Sequence, residues 1–169
     1  ATYTQNGVYS YNSPNNNSSM SFDGVNDYVD KPDIPLYGSS YSGEFTFSAY
    51  VYAGDQTNTD FFNILSTDDN TLGNLLQWGC HDDNLIFSLH TNTASNYVQY
   101  YSSTPINRYE WTHVSVTYDG SNIKLYINGS LVSTGARSGS IDNDAGGTLY
   151  IGRDDGYSDR FFNGSIDDV

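Results

Sequence analysis

An acidic segment near the start of the chain, SFDGVNDYVDKPD at 21–33, holds four aspartates and one asparagine in thirteen positions. Asp23, Asn26 and Asp27 can supply side-chain oxygens, while Gly24 allows a turn tight enough for main-chain carbonyls to point inward. Calcium takes roughly six to eight oxygens of these kinds in loose geometry. Because a dication would also remove the repulsion between the carboxylates, the segment predicts a Ca²⁺ site.

The same spacing has a second interpretation, in which Asp23 and Asp27 are turn residues whose carboxylates accept hydrogen bonds from their own backbone. Spacing alone does not separate this turn from a metal site. A further acidic segment, IGRDDGYSDRFF at 151–162, matches only part of an EF-hand loop and lacks its closing glutamate. That segment is typical of a solvated, charged loop.

Aromatic and polar side chains together favour another chemistry, the binding of sugars. Flat rings stack on the apolar faces of pyranoses, and polar side chains bind the hydroxyls. The predicted ligand-binding residues are Tyr50, Trp78, Tyr97, Tyr100, Asp82, Asp154 and Asp155. Tyrosine is also favoured on any half-exposed sheet, so a structural role for each ring is the alternative.

Charge and length limit the classes of function. The net charge of −14, with only 6 lysines and arginines, argues against binding nucleic acid or an anionic membrane surface. No apolar run approaches the length of a membrane span, so membrane insertion is not expected. A length of 169 residues predicts a single domain, 1–169, with 1–17 as a loosely held arm. The lone Cys80 cannot form an intrachain disulfide and is expected to be a buried thiol.

Short alternating runs separated by Gly, Asn, Asp and Ser predict an all-β protein. In FTFSAYVY at 45–52 one face is apolar and the other carries Tyr50 and Tyr52. Asn128-Gly129 is a strong hairpin signal, and Asp119-Gly120 is a second turn signal. The predicted fold is a two-sheet antiparallel β-sandwich, or jelly roll. Its predicted strands span 18–22, 28–30, 45–53, 62–66, 75–80, 85–89, 97–101, 111–118, 123–127, 130–136, 149–152 and 164–168.

Three segments in this order, MSFDGVNDYVD, WTHVSVTYDGSNIKLYINGSLVSTG and LYIGRDDGYSDRFFNGSIDDV, resemble the laminin-G-like jelly rolls of the concanavalin A-like lectin and glucanase superfamily. The resemblance implies a concanavalin A-like sandwich in an extracellular or cell-surface module. It also implies a calcium ion shared between the loop after the first strand and an acid on the last strand, here Asp167 or Asp168. Asp23, Asn26, Asp27 and Asp167 are therefore the predicted metal ligands.

Catalysis is not expected. The related glucanases carry their two glutamates on one strand, whereas the only glutamates here, Glu44 and Glu110, are far apart in the sequence. Trp111 and His113 share one face of a strand that the family uses as scaffold, which indicates a structural role for His113. No nucleophile motif involves any histidine.

Taken together, the sequence predicts a non-catalytic, calcium-stabilised, extracellular carbohydrate-binding module of a larger secreted enzyme or adhesin. Its expected partner is a polysaccharide or glycan. A protein- or peptide-binding adhesion module of the same fold, without glycan affinity, is the alternative.

Overall fold

The computed structural model describes residues 14, 18–32, 43–56, 61–68, 74–91, 98–139, 148–154, 157 and 160–169. In this part of the chain there is no helix, and twelve strands form two antiparallel sheets. The strands are Met20–Asp23 (β1), Val29–Lys31 (β2), Glu44–Ala53 (β3), Phe61–Asp68 (β4), Asn74–His81 (β5), Asn84–Leu89 (β6), Gln99–Pro105 (β7), Trp111–Asp119 (β8), Asn122–Ile127 (β9), Ser130–Ala136 (β10), Thr148–Ile151 (β11) and Asn163–Asp167 (β12). The predicted all-β sandwich is confirmed.

Each sheet has six strands. Sheet A has the order β1-β12-β3-β8-β9-β10, and sheet B has the order β2-β11-β4-β5-β6-β7. The first and last strands are neighbours, since β1 pairs with β12 along Met20↔Ile166 to Asp23↔Asn163. Both ends of the described fold therefore meet at one edge of sheet A.

Alternation along β3 and β8 decides which face of sheet A is buried. Ala49 and Val51 of β3, with Val114 and Val116 of β8, are almost fully buried between the sheets. The residues between them point to the opposite face because successive side chains of a strand alternate. Sheet A therefore has one apolar inner face and one outer face of polar and aromatic side chains.

The predicted turns have the backbone that such turns require. Asn128 and Gly129 have φ of 49° and 77° between β9 and β10, as a two-residue hairpin with positive φ at both positions demands. At the β8–β9 turn, Asp119 Oδ1 accepts hydrogen bonds from the backbone N–H groups of Ser121 and Asn122. The local sequence therefore fixes both connections.

The core lies between the two sheets and is rich in aromatic rings. Trp78 has no exposed surface and stacks on Phe47 at 6.4 Å between ring centroids. This position corrects the expectation that Trp78 contacts a ligand. Cys80 is buried as expected, and burial raises the pKa of its thiol. Within the described ranges, no helix is long and apolar enough to cross a membrane.

Candidate functional site

A groove on the outer face of sheet A is built from four neighbouring strands. Ser21, Ser165, Tyr52 and Trp111 lie opposite one another in register across β1, β12, β3 and β8. Directly opposite side chains share a face of a sheet, and the next residues along these strands point into the core. The four side chains therefore form one row, about 14 Å long, facing away from the core.

The groove has a volume of about 490 Å³ and is lined by Ser21, Phe22, Tyr52, Gly54, Trp111, Asn163, Gly164 and Ser165. That volume falls within the range of small-molecule binding sites, roughly 300–1,000 Å³. Its lining combines three aromatic side chains, Phe22, Tyr52 and Trp111, with hydroxyl and amide groups. Such a surface can stack on an apolar ring face and bind hydroxyl groups beside it.

An aromatic wall of three adjacent rings runs along the groove: Tyr52 and Trp111 line it, and Tyr109 packs against Tyr52 beside the lining. Tyr52 lies 5.8 Å from Trp111 and 6.5 Å from Tyr109 between ring centroids. Tyr109 is 56% exposed and has a φ of 60°, a backbone conformation rarely adopted by a bulky residue. Its N–H donates to the Ala53 carbonyl at 2.8 Å, which holds this conformation next to Tyr52. An exposed ring held in a strained backbone is common at binding sites.

The rim beside Tyr109 carries charges that are already paired. The Tyr109 hydroxyl hydrogen-bonds the Asp55 carboxylate and, with Arg108, holds the pKa of that carboxyl below its usual value. Arg108 Nε donates to Asp83 Oδ1 at 2.7 Å, and its Nη1 lies 3.4 Å from Asp55 Oδ1. Asp55 therefore stays anionic, and the guanidinium is committed to two carboxylates.

The floor of the groove has little room to move. Gly54 N–H donates to the Asn163 carbonyl at 2.8 Å, and Asn163 N–H donates to Gln56 Oε1 at 3.2 Å. At Gly164, which has a φ of 141°, a Cβ would lie 2.0 Å from the Tyr52 carbonyl oxygen. Only glycine lets β12 approach Tyr52 this closely.

The acidic loop after β1 is held by its own backbone. Asp23 Oδ1 accepts hydrogen bonds from Val25 and Asn26 N–H at 2.8 and 3.1 Å, and Asp27 Oδ2 accepts one from Asp23 N–H at 3.0 Å. Burial and the nearby Asp23 charge raise the pKa of Asp27. A Cβ on Gly24 would lie 2.7 Å from the Asn163 Cβ, so the loop packs against the end of the groove.

The structure brings Asp23 and Asp27 together but not Asp167. In the β1–β12 ladder Asp23 lies opposite Asn163, four residues before Asp167 and thus about 13 Å away along the strand. This register corrects the expectation that Asp167 joins the loop at one ion. Within the described ranges, no group of three or more His, Cys, Asp or Glu side chains could hold a metal. The four-residue calcium set does not fit, and a calcium ion at the loop alone stays a prediction.

Sheet B carries a different row on its outer face. Ser66, Gln77, Ser88 and Gln99 lie opposite one another across β4, β5, β6 and β7. The first three have no exposed surface. Within the described part of the chain, the Ser88 hydroxyl has no hydrogen-bond partner. The row is polar, but it is closed to solvent.

Asp154, predicted to bind ligand, instead lies buried over this closed row. It has no exposed surface, and its Oδ2 accepts hydrogen bonds from Gln77 Nε2 at 3.0 Å and Arg160 Nη1 at 3.1 Å. Arg160 also stacks on Phe61 and Tyr157 at 4.3 and 3.4 Å from their centroids. Asp154 is therefore bound into a network that fixes the outer face of sheet B.

The remaining predicted ligand residues are dispersed. Tyr50 is on the outer face of sheet A, opposite Asp167 and His113, next to the groove row. The Tyr100 hydroxyl donates to the Ala136 carbonyl at 2.7 Å, which indicates a structural role. Asp82 is exposed at the β5–β6 turn with a φ of 49°. Tyr97 and Asp155 lie outside the described residues.

Sequence reasoning missed the groove residues Trp111 and Ser165 and the neighbouring ring of Tyr109. It recognised that Tyr52 and Trp111 are on polar strand faces, but it treated Trp111 as scaffold. The alternation in β3 and β8 shows that both rings point outward, and only the pairing of these strands places them opposite each other. The register of the β3–β8 pairing, which brings these two rings together, is not visible in the sequence of either strand alone.

The chain belongs to the concanavalin A-like lectin/glucanases superfamily, because a laminin-G-type profile of that superfamily matches residues 23–169. The predicted resemblance is confirmed. A search of curated proteins gives no match.

Solved structures share the fold at low sequence identity. A Bacteroides ovatus protein is 19% identical with a TM-score of 0.64, over 88% of this chain and 41% of its own. Domain 4 of AbnA, a GH43 extracellular arabinanase from Geobacillus stearothermophilus, solved with arabinotriose, is 17% identical with a TM-score of 0.63, over 96% and 73%. Domains LG4-5 of the mouse laminin alpha1 chain are 12% identical with a TM-score of 0.60, over 88% and 39%.

Proposed function

We propose that this protein is a non-catalytic carbohydrate-binding module and that the groove on sheet A holds the sugar. The observation that carries the proposal is the pair of adjacent rings Tyr52 and Trp111, flanked by Tyr109, beside hydroxyl and amide groups in an open groove. Aromatic faces beside a few fixed polar groups are what a sugar ring needs, because it has C–H-rich faces and hydroxyl edges.

The groove is suited to bind its ligand without large rearrangement. The Trp111 and Tyr52 rings offer stacking surface, and the hydroxyls of Ser21 and Ser165 can donate to and accept from sugar hydroxyls. Asn163 is fixed by the 54–56 segment, so its position costs little entropy on binding. Preorganisation of this kind lowers the cost of binding.

The absence of catalysis is part of the proposal. Glu44 pairs with Asp119 at one end of the β3–β8 ladder, while Glu110 precedes Trp111 at the other end. The two glutamates are therefore about 30 Å apart, far beyond the roughly 5–10 Å that separates glycosidase acids. Glu110 Oε2 instead accepts a hydrogen bond from Asn107 Nδ2 at 3.0 Å.

The relatives support the setting of the module. The AbnA domain is described as part of an extracellular arabinanase in complex with arabinotriose. By analogy, this chain serves outside the cell or on its surface, attached to a larger secreted enzyme or adhesin. Calcium remains a proposal for the loop of Asp23, Asn26 and Asp27, which packs against the groove through Gly24.

Affinity gel electrophoresis against a panel of polysaccharides, followed by calorimetry, tests the function. Trp111→Ala should reduce affinity by about ten- to a hundredfold, if stacking of a sugar on the ring is worth as much as the roughly 1–3 kcal/mol of a nucleobase stacked on an aromatic side chain. Tyr126→Ala is the matched control, because Tyr126 is an outward-facing ring on β9 of the same sheet. Equal loss in both variants, or retained glycan binding in Trp111→Ala, would contradict the site. Binding to a protein partner without any glycan shift would favour the adhesion module instead.

A further inference from the structure

The positions of every lysine and arginine limit the charge of the ligand. The chain contains six of these residues, and all of them lie within the described ranges: Lys31, Arg108, Lys124, Arg137, Arg153 and Arg160. The location and partners of each strong cation can therefore be compared with the groove on sheet A.

Three of the six cations belong to the other sheet. Arg160 is paired with Asp154, and Arg153 stacks over Tyr28 and Tyr150 at 4.6 and 4.8 Å. Lys31 is on β2, and its Nζ donates to the Pro32 carbonyl at 2.7 Å. None of these side chains reaches the outer face of sheet A.

Two more lie at the far end of sheet A. Lys124 is opposite Thr117, six residues from Trp111 along β8 and therefore about 20 Å from the groove row. Arg137 follows β10, is only 5% exposed, and donates its N–H to the Ser121 carbonyl at the same end. Neither side chain can pair with a ligand in the groove.

The last cation, Arg108, is at the rim but is engaged. Its guanidinium contacts Asp83 at 2.7 Å and Asp55 at 3.4 Å, and its hydrogen bond to Asp83 has the largest part in raising its pKa. The groove lining itself has no charged side chain among the described residues. The exposed Asp55 carboxylate, hydrogen-bonded to Tyr109, thus places negative charge beside the aromatic wall.

We infer that the groove binds neutral sugars and discriminates against glycans that carry carboxylate or sulfate groups. This inference rests on the proposed function and specifies its ligand class. An anionic sugar would lose its hydration in the groove without gaining a counter-charge, which is strongly unfavourable. The net charge of −14 also slows the approach of any polyanion.

The test compares each neutral polysaccharide that binds with a carboxymethylated derivative of the same polymer. Measurements are made at pH 8. We expect the derivative to bind at least about tenfold more weakly at low salt, and this difference to shrink as salt screens the repulsion.

A charge-introducing variant completes the experiment. Ser21 lines the groove from the edge strand β1, so Ser21→Lys should place an ammonium there and recover binding to the carboxymethylated polymer. Ser48→Lys, on the outer face of β3 and away from the groove, is the control. Thermal melting confirms that both variants are folded.

The outcomes separate the ligand class from the function. If the carboxymethylated polymer bound as tightly as the neutral one or more tightly, and Trp111→Ala abolished that binding, the inference of a neutral ligand would be wrong. The groove would still be the glycan-binding site. Binding to neither series, with intact folding, would overturn the proposed function and the ligand class with it.

Discussion

The outer faces of the two sheets show opposite uses of the same strand geometry. On sheet A, Tyr52 and Trp111 are half-buried around an open groove. On sheet B, the equivalent outward row of Ser66, Gln77 and Ser88 is fully buried, and Asp154 ties it to Arg160. Outward direction alone therefore does not make a binding surface. The face whose rings remain accessible can recognise a ligand, whereas the face whose polar groups are sealed contributes to stability.

Of the substitutions that test this difference between the two faces, Asp154→Ala should have the largest effect on stability. Asp154→Ala leaves Arg160 and Gln77 without this buried acceptor, and breaking a buried ion pair from one side costs about 3–5 kcal/mol. For a chain of this size we expect the melting temperature to fall by about 10 °C. Glycan affinity, measured below the transition, should be unchanged.

An exposed acid provides the control for this change. Asp82→Asn at the β5–β6 turn keeps a residue type that tolerates positive φ, and we expect a change in stability within about 0.5 kcal/mol. If Asp154→Ala weakened glycan binding without lowering the melting temperature, the closed row and not the groove would be the site.

Tyr109→Ala tests whether Tyr109 contributes to glycan binding on sheet A. The ring is 56% exposed and packs edge-on against Tyr52, so its loss removes one part of the aromatic wall. We expect glycan affinity to fall by about five- to tenfold, corresponding to about 1 kcal/mol, and the melting temperature to change little. Unchanged affinity by calorimetry would show that the wall ends at Tyr52.

Ser88→Ala tests whether the closed row binds anything. Its hydroxyl is buried without a partner in the described part of the chain, so replacing it with a methyl group should stabilise the fold slightly or leave it unchanged, within about 1 kcal/mol. Denaturant unfolding measures the difference. Marked destabilisation, or a loss of glycan affinity, would indicate an occupant of the row on sheet B.

The smallest expected effect is that of Asp27→Asn. The pKa of Asp27 is raised in the fold, so its protonation favours folding at low pH, and this contribution is lost as pH rises through the folded pKa. Because asparagine is uncharged, the variant should melt about 1–2 °C higher at neutral pH in chelator. The gain should shrink as pH falls through the raised folded pKa of Asp27 and should be gone below its ordinary value of 3.8.

Calcium titration of the same pair tests the metal prediction. If the loop binds calcium, the wild type gains stability on addition of the ion and Asp27→Asn gains less. Equal responses of the two proteins, or none in either, would leave the loop as a backbone-held turn.

The fold could be predicted from the sequence because strands and hairpins are specified by patterns within a few neighbouring residues. Alternation along 45–52 and the Asn128-Gly129 turn specify their strands and hairpin directly. The candidate site depends on pairing between distant segments, which alternation does not encode. The β1–β12 register places Asp23 opposite Asn163 and not opposite Asp167. The β3–β8 register places Tyr52 opposite Trp111. Neither pairing can be read from alternation within one strand.

One missed assignment was readable from the sequence. In LLQWGCH at 75–81, Trp78 has the same parity as Leu76 and Cys80, and all three are core residues. Alternation therefore already indicated that this ring points inward. The burial of Asp154, in contrast, depends on Gln77 and Arg160 meeting it from different segments, and no local signal shows that.

Tryptophan fluorescence tests the central claim most directly, because the chain has two tryptophans in different environments. Trp78 has no exposed surface, and Trp111 lines the groove. The difference between wild-type and Trp111→Phe emission reports Trp111 alone. We predict that a bound neutral glycan changes this difference signal saturably and protects it from acrylamide quenching. A glycan that binds by calorimetry without altering the Trp111 signal would contradict the account.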